Sequence, residues 1–320
     1  MTRLLDETAK GVYIIAATPF TDMGEIDWPS VDSLIEFYLE KGVNGMTILG
    51  FMGEAQKLSG PESTRLVKHV LARVDGRVPV IVGVSSPGTA NLVELGKLSM
   101  DAGAAGVMVA PLAGLRTEDQ VLAYFSSVIA QLGPKIPVVY QDYPQSTGVF
   151  ISPEGFVKLV DAHPSLVVLK HEDCPGLRKV SRVRRLCDGS KRRRIGILCG
   201  NGGLYLPQEL RRGADGANTG FAFPEMLVGV CERFQRGEIE AAEDLYDAYL
   251  PLVRYEQQPG IGLAIRKEVL RRRGAIRSAA VRAPGPKLDA DDLKELDQLI
   301  ARLERRLKGE AGERKRAAAE

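Results

Sequence analysis

Histidine is scarce in this chain. There are three in 320 residues, His69, His163 and His171, and no two of them form an HExxH or similar pair. Metal centres draw heavily on such pairs, so the ligand supply argues against one. The four cysteines, Cys174, Cys187, Cys199 and Cys231, show no CxxC spacing. Reduced, mostly buried thiols in a cytoplasmic protein are the expected state. No apolar run approaches the roughly 18 residues of a membrane span. The N-terminal MTRLLDETAKG is charged and lacks the apolar stretch of a secretion signal. Charge of one sign is missing too. The formal net charge is +2, and the basic end of the chain is balanced by Glu310, Glu313 and Glu320. Neither a nucleic-acid nor a membrane partner is expected.

What is present is an alternation. Short apolar, β-rich runs occupy residues 12–17, 46–49, 78–84, 106–110, 136–140, 166–170, 195–199 and 216–220. Between them lie stretches of helical periodicity, among them 31–41, 61–74, 89–102, 118–132 and 153–161. Ser59-Gly60-Pro61-Glu62 and Ser152-Pro153-Glu154 are helix starts, with proline at an early helical position and an acid beside it. Gly42, Gly103 and Gly213 stand where helices stop. Strand–helix units in this number predict an α/β fold of parallel strands, closed as a (β/α)8 TIM barrel. A doubly wound open sheet is the alternative. It is disfavoured because Thr18-Pro19-Phe20 stands where a dinucleotide fingerprint would follow the first strand. After residue 236 the strand signal ends and three helical stretches follow, 239–255, 260–273 and 290–307. The expected organisation is a barrel over 1–236 carrying the active site, a C-terminal helical domain over 237–308, and a charged, flexible tail over 309–320.

In such a barrel the active site lies at the C-terminal ends of the strands. Lys170 closes the apolar run Leu166-Val167-Val168-Leu169. Burial disfavours the charged form of an ammonium, and an amine freed of its proton attacks carbonyls to give a Schiff base. A strand end that simply points Lys170 into water is the alternative. On the neighbouring strand, Tyr140 in VVYQDYP lies about 4.8 Å away if both side chains point inward. A phenol there could relay protons; it could equally be a core aromatic. Strand two runs into Gly50-Phe51-Met52-Gly53-Glu54, a turn whose backbone N–H groups could hold a carboxylate, or a plain strand-to-helix turn. The loops at Gly200-Asn201-Gly202-Gly203 and Asn218-Thr219-Gly220 could hold a phosphate or leave room for substrate.

Together these motifs resemble the dihydrodipicolinate synthase/N-acetylneuraminate lyase family of class I aldolases, over residues 11 to about 307. The motifs are ATPF at 17–20, GFMGE at 50–54 followed by KLS, the tyrosine of VVYQDYP, the lysine of VVLKHED, and CGNGG at 199–203. The resemblance implies that Lys170 attacks the keto group of pyruvate or another 2-oxo acid. It implies that the turn of Gly50, Phe51, Met52, Gly53 and Glu54 holds the carboxylate, that Tyr140 relays protons, and that Thr18 supplies a hydroxyl near the lysine. Gly200 and Asn218 complete the expected substrate surroundings, Asn218 replacing a usual aliphatic contact. No cofactor is implied, because the protonated imine is itself the electron sink. Assembly as a homotetramer or homodimer is implied as well.

The departures from the family concern the second substrate. Synthases carry GTTGE and the lyases GSTGE, whereas Phe51 and Met52 stand at the two hydroxyl positions and cannot relay a proton. Ala110-Pro111-Leu112-Ala113 replaces a tyrosine pair. Ser146 stands where the synthase arginine precedes Thr-Gly, and one extra residue separates Tyr140 from Pro144 compared with YNxP. These changes predict an aldehyde partner that is less charged or more apolar, its identity open. The expected activity is a lyase making or breaking a C–C bond next to an imine. The alternatives are an authentic 4-hydroxy-tetrahydrodipicolinate synthase, a 2-keto-3-deoxy sugar acid dehydratase, or a barrel without catalysis.

Overall fold

The computed structural model describes residues 3–317, with side chains to residue 309. Eight parallel strands close into one barrel in chain order: β1 (Gly11–Ile15), β2 (Gly45–Ile48), β3 (Val80–Gly83), β4 (Gly106–Val109), β5 (Val138–Asp142), β6 (Leu166–His171), β7 (Gly196–Cys199) and β8 (Gly216–Thr219). Pairing of β8 with β1 completes the ring and removes the open-sheet alternative. Strand residues alternate between faces. Tyr13, Ile81, Met108, Val139, Val168 and Leu198 pack together inside the barrel. Val12, Val82, Val109, Tyr140 and Ile197 belong to the larger core shared with the surrounding helices. Both faces of each strand are therefore buried, which is why the strands read as continuous apolar runs.

The helix starts expected from sequence carry caps. Ser59 and Glu62 form a capping box at Gly60–Val74, and Thr117 and Gln120 do so at Glu118–Leu132. Ser152 caps Pro153–Ala162. Three crossover helices were not singled out from sequence: Leu177–Leu186, Leu206–Arg211 and Pro224–Gln235. The first buries only Val180 and Val183 beneath a face of arginines, so it has little apolar period to read.

The C-terminal helices are Ile239–Glu256, Gly262–Arg272 and Ala290–Ala317. The last runs on past 307, into the stretch expected as a tail. Side chains from 310, and all of 318–320, lie outside the described residues. Ile239–Glu256 packs along Pro224–Gln235 and Ala290–Ala317. Lys267 ties these helices to the barrel mouth, donating to the carbonyls of Thr18 and Ala280, each at 2.8 Å, and to Glu54 at 2.5 Å. Among the described residues no helix is long and apolar enough to cross a membrane.

Candidate active site

Lys170 shares the inward face of β6 with Val168 and is 2% exposed. Its Nζ lies 2.7 Å from Glu172 Oε1. The lysine therefore has a carboxylate counter-ion beside it. Glu172 is held in turn. Its other carboxylate oxygen accepts from Gln141 Nε2 at 3.1 Å, and its backbone N–H donates to the Asp142 carbonyl at 2.9 Å. Gly200 makes room for it, because a Cβ at that position would lie 2.0 Å from Glu172 Cγ. Gly200 therefore acts through Glu172 rather than by lining the site. Above the pair opens a cavity of about 650 Å3, lined on different sides by Gln141, Tyr143, Phe51, Met52 and Arg266.

Residues 50–54 form a 3-10 turn, Phe51–Gly53, following Gly50. The N–H groups of Phe51 and Met52 stand at its first turn, where no carbonyl of the turn can accept from them. Both side chains line the cavity. Thr18, in the segment after β1, braces this turn, its hydroxyl donating to the Gly53 carbonyl at 2.6 Å. Thr18, Gly50 and Gly53 thus shape the turn without lining the cavity. Glu54 is a correction to the expected backbone cradle, since its N–H already donates to the Phe51 carbonyl at 3.0 Å. Its carboxylate is buried and already taken by Lys267, by Lys57 at 2.8 Å and by the Arg282 N–H at 3.0 Å. It does not line the cavity.

Tyr140 is the larger correction. The β5–β6 register places Gln141, not Tyr140, beside Lys170. Tyr140 points outward, stacked on Phe125 at 4.3 Å between ring centroids and edge-on to Phe156 at 5.4 Å. Its hydroxyl is buried with no hydrogen-bond partner among the described residues, and burial pushes the phenol well above its ordinary range. The physical reason is the extra residue before Pro144: in a strand of period two, a shift of one residue moves a side chain to the other face. The phenol that does line the cavity is Tyr143, which meets the Phe51 ring edge-on at 5.7 Å. Burial raises its pKa; the negative charge of Glu172 adds to this and Arg266 opposes it.

Asn218 lies deeper than expected. Its register partner is Tyr13 of the inner core, its Oδ1 accepts from Thr47 Oγ1 at 3.1 Å, and it does not line the cavity. Thr219 and Gly220 do, and Thr219 Oγ1 accepts from the Gly202 N–H at 2.7 Å, fixing the glycine loop after β7. Ser146 lines the cavity and Leu112 does not. Glu172, Gln141, Tyr143 and Arg266 are among the lining residues missed from sequence. Glu172 was findable: two residues beyond Lys170, it returns to the same side. Gln141 and Tyr143 required the correct register, and Arg266 has no local signal.

A lysine and a carboxylate at the floor of a barrel-mouth cavity is an arrangement for carbonyl chemistry, and known proteins share the frame. The sequence profile of the Dihydrodipicolinate synthetase family matches residues 8–303. The chain belongs to this family. It is accordingly a lyase of the class I, Schiff-base kind. Among relatives, an L-2-keto-3-deoxyarabonate dehydratase of Azospirillum brasilense is 29% identical over 299 residues, covering 92% of this chain and 94% of its own. A 4-hydroxy-tetrahydrodipicolinate synthase of Syntrophus aciditrophicus is 33% identical over 247 residues, covering 76% and 81%. The solved structure of a dihydrodipicolinate synthase from Rhodopseudomonas palustris superimposes with a TM-score of 0.92 at 46% identity, covering 94% of this chain and 100% of that one. Members of the family thus include both a dehydratase and synthases.

Proposed function

We propose that Lys170 is the Schiff-base lysine of this lyase, that its substrate is pyruvate or another 2-oxo acid, and that Glu172 moves the protons. The observation that carries this reading is the 2.7 Å contact between Lys170 Nζ and Glu172 at the floor of the cavity. Glu172 takes a proton from the ammonium, and the free amine adds to the keto carbon. The carbinolamine loses water, and the resulting protonated imine draws electrons from the adjacent carbon. That carbon gives its proton to a carboxylate, leaving an enamine. The enamine bonds to an aldehyde carbon whose oxygen takes up a proton; cleavage is the reverse. Water finally releases the product from Lys170. The N–H groups of Phe51 and Met52 are suited to the substrate's 1-carboxylate. Tyr143, rather than Tyr140, is placed to assist proton transfer. The imine is the electron sink, so no cofactor is required.

A second reading is favoured by Glu172 itself. An enamine can expel a hydroxyl from the next carbon if an acid protonates it, and Glu172 is a buried carboxylate within reach of the nitrogen. Dehydration of a 2-keto-3-deoxy sugar acid therefore uses the same residues. We propose further that the protein is cytoplasmic, in keeping with its free cysteines, and assembles as a homodimer or homotetramer, as the family resemblance implies.

The test is reductive trapping. Pyruvate and borohydride should leave a stable adduct that mass spectrometry maps to Lys170. Absence of any adduct there, across several 2-oxo acids, overturns the proposal. Turnover of pyruvate with aspartate semialdehyde, or of 2-keto-3-deoxy sugar acids alone, then separates synthase from dehydratase.

A further inference from the structure

The strand ends that carry the active site have a second polar cluster on their outer face. Side chains alternate along a strand, so Gln141 and Lys170 face the cavity while Asp142, His171 and Cys199 turn outward. The register pairs the outward three directly, Asp142 with His171 and His171 with Cys199. All three are buried. Both ring nitrogens of His171 lack a hydrogen-bond partner among the described residues, whereas buried polar atoms are nearly always paired. The chemistry above uses none of these side chains.

The elements packed on the ring bring charges and thiols to it. From β5, Asp142 Oδ2 stands 3.7 Å from His171 Nδ1, just beyond hydrogen-bond length. From Leu177–Leu186, Lys179 takes that same carboxylate oxygen at 2.7 Å and also reaches Asp173 at 3.2 Å. From Leu206–Arg211, Glu209 feels the ring and shares a hydrogen bond with the Cys199 thiol; burial pushes its carboxyl up to about 7. The loop after β6, which holds Asp173 and Cys174, closes over the other edge: a Cβ at Gly176 would lie 2.2 Å from His171 Nε2. The remaining charges of those two helices and of Pro153–Ala162 are exposed or, like Arg184, held elsewhere. Asp142 therefore stands between two cations, Lys179 and a protonated His171. Lys179 keeps Asp173 if Asp142 leaves it, which lowers the cost of the exchange.

The exchange is linked to the site by short bonds. The Asp142 carbonyl accepts from the Glu172 N–H at 2.9 Å, and Gln141, the residue before it, donates to the Glu172 carboxylate at 3.1 Å. On the other side the His171 carbonyl accepts from the N–H of Gly200, the residue that clears room for Glu172, at 2.8 Å. We propose that His171 is a positioning residue for the lysine chemistry. Neutral, it leaves Asp142 with Lys179, and Glu172 stays seated against Lys170. Protonated, it draws Asp142 away from Lys179, turns the Asp142 peptide and unseats Glu172. This deepens the reading of Lys170 and Glu172 as the reactive pair and rests on it. Histidine is the side chain whose ordinary titration spans physiological pH, so the ring carries pH to an amine it does not touch.

The test compares two pH series. With all histidines labelled at Cε1 with 13C, the resonance missing from His171→Gln assigns His171, and its shift gives its midpoint. In parallel, pyruvate and cyanoborohydride label Lys170, read by mass spectrometry. The labelling rate should fall as pH drops through the His171 midpoint, by about threefold or more. Lys179→Met should raise the midpoint by about one pH unit and Asp142→Asn should lower it by as much, with the step in labelling moving each time. In His171→Gln that step should be absent. A His171 resonance that does not titrate in the folded protein overturns the proposal. So does a labelling profile unmoved by Lys179→Met and Asp142→Asn, the result a merely structural histidine would give. A step that survives His171→Gln but vanishes in Glu209→Gln also overturns it, because Glu209 would then be the group that titrates. If His171→Gln fails to fold, His69→Gln and His163→Gln assign the resonance by elimination, and either of the two shifting variants carries the test alone. Acetylation of Lys170 by acetic anhydride reads the same amine without an imine. A step there that moves with the His171 midpoint supports the proposal even if pyruvate labelling fails and the Schiff-base reading falls. Acetylation unmoved by the shifting variants overturns it even if pyruvate is trapped.

Discussion

Two buried lysines, each facing a glutamate, stand at the same end of the barrel and have opposite surroundings. Lys267 donates to Glu54, to the Thr18 carbonyl and to the Ala280 carbonyl, and its Nζ also sits 4.5 Å over the Phe20 ring. Glu54 is further bound by Lys57 and the Arg282 N–H. Lys170 has Glu172 as its polar partner among the described residues, and both line the cavity. Burial does not distinguish them, since Lys267 is 0% and Lys170 2% exposed. The number of partners does. An ammonium with every donor answered is a rivet between the C-terminal helices and the barrel; one with a single carboxylate and open space above it can exchange that partner for a substrate.

Removing each lysine should separate the two roles most sharply. Lys170→Met should abolish the borohydride adduct and cut turnover by more than about a thousandfold, with an unchanged circular dichroism spectrum. Lys267→Met should leave trapping intact in the folded protein but cost about 3–5 kcal/mol in denaturant unfolding, because Glu54 loses its buried counter-ion. The reverse pattern would break the comparison. Next in size is the carboxylate of the reactive pair. Glu172→Gln should slow imine formation by about 10²- to 10⁴-fold with little change in unfolding midpoint. A rate near that of the wild type would move proton transfer to another group.

Glu209 sharpens the comparison from the other side, as a buried glutamate with no lysine. Burial pushes its carboxyl up to about 7, and one of its oxygens has no hydrogen-bond partner among the described residues. Between its ordinary value of 4.5 and about 7 the folded protein holds a proton that the unfolded chain releases. Its contribution is therefore most favourable below that window and is lost as pH rises through it. Glu209→Gln should lose this dependence, so its stability relative to the wild type should grow by something on the order of 3 kcal/mol across the window. Thermal melts at a series of pH values measure it; parallel curves would show that Glu209 is ionised throughout.

The smallest effect is expected at Tyr140. Tyr140→Phe removes a buried hydroxyl with no partner among the described residues, so turnover should stay within about twofold and stability should hold or rise by about 1 kcal/mol. A large loss of turnover would place Tyr140 at the reacting atoms and undo its outward orientation.

The barrel was legible because its signals are local and repeated. Apolar runs bounded by capped helices recur along the chain, and a strand buried on both faces reads as a strand in any register. Lys170 was legible for the same reason, as a charge at the end of such a run. Leu177–Leu186 was not, since its arginines hide a two-residue apolar stripe. Tyr140 was not legible, because its spacing to Pro144 is one residue longer than in YNxP, and in a strand one residue decides the face.

The chain by itself determined the (β/α)8 frame and the family and singled out Lys170 as the candidate lysine, because each depends on patterns confined to a few neighbouring residues. The partners of that lysine were decided by the tertiary structure. Glu172 reaches Lys170 only because Gly200 clears its path, Tyr143 and not Tyr140 lines the cavity only through the register of β5 on β6, and Arg266 arrives at the β8–β1 mouth from a helix near the other end of the chain. Contacts between residues so far apart leave no periodicity or spacing in the sequence, so only the closed barrel brings them to one cavity.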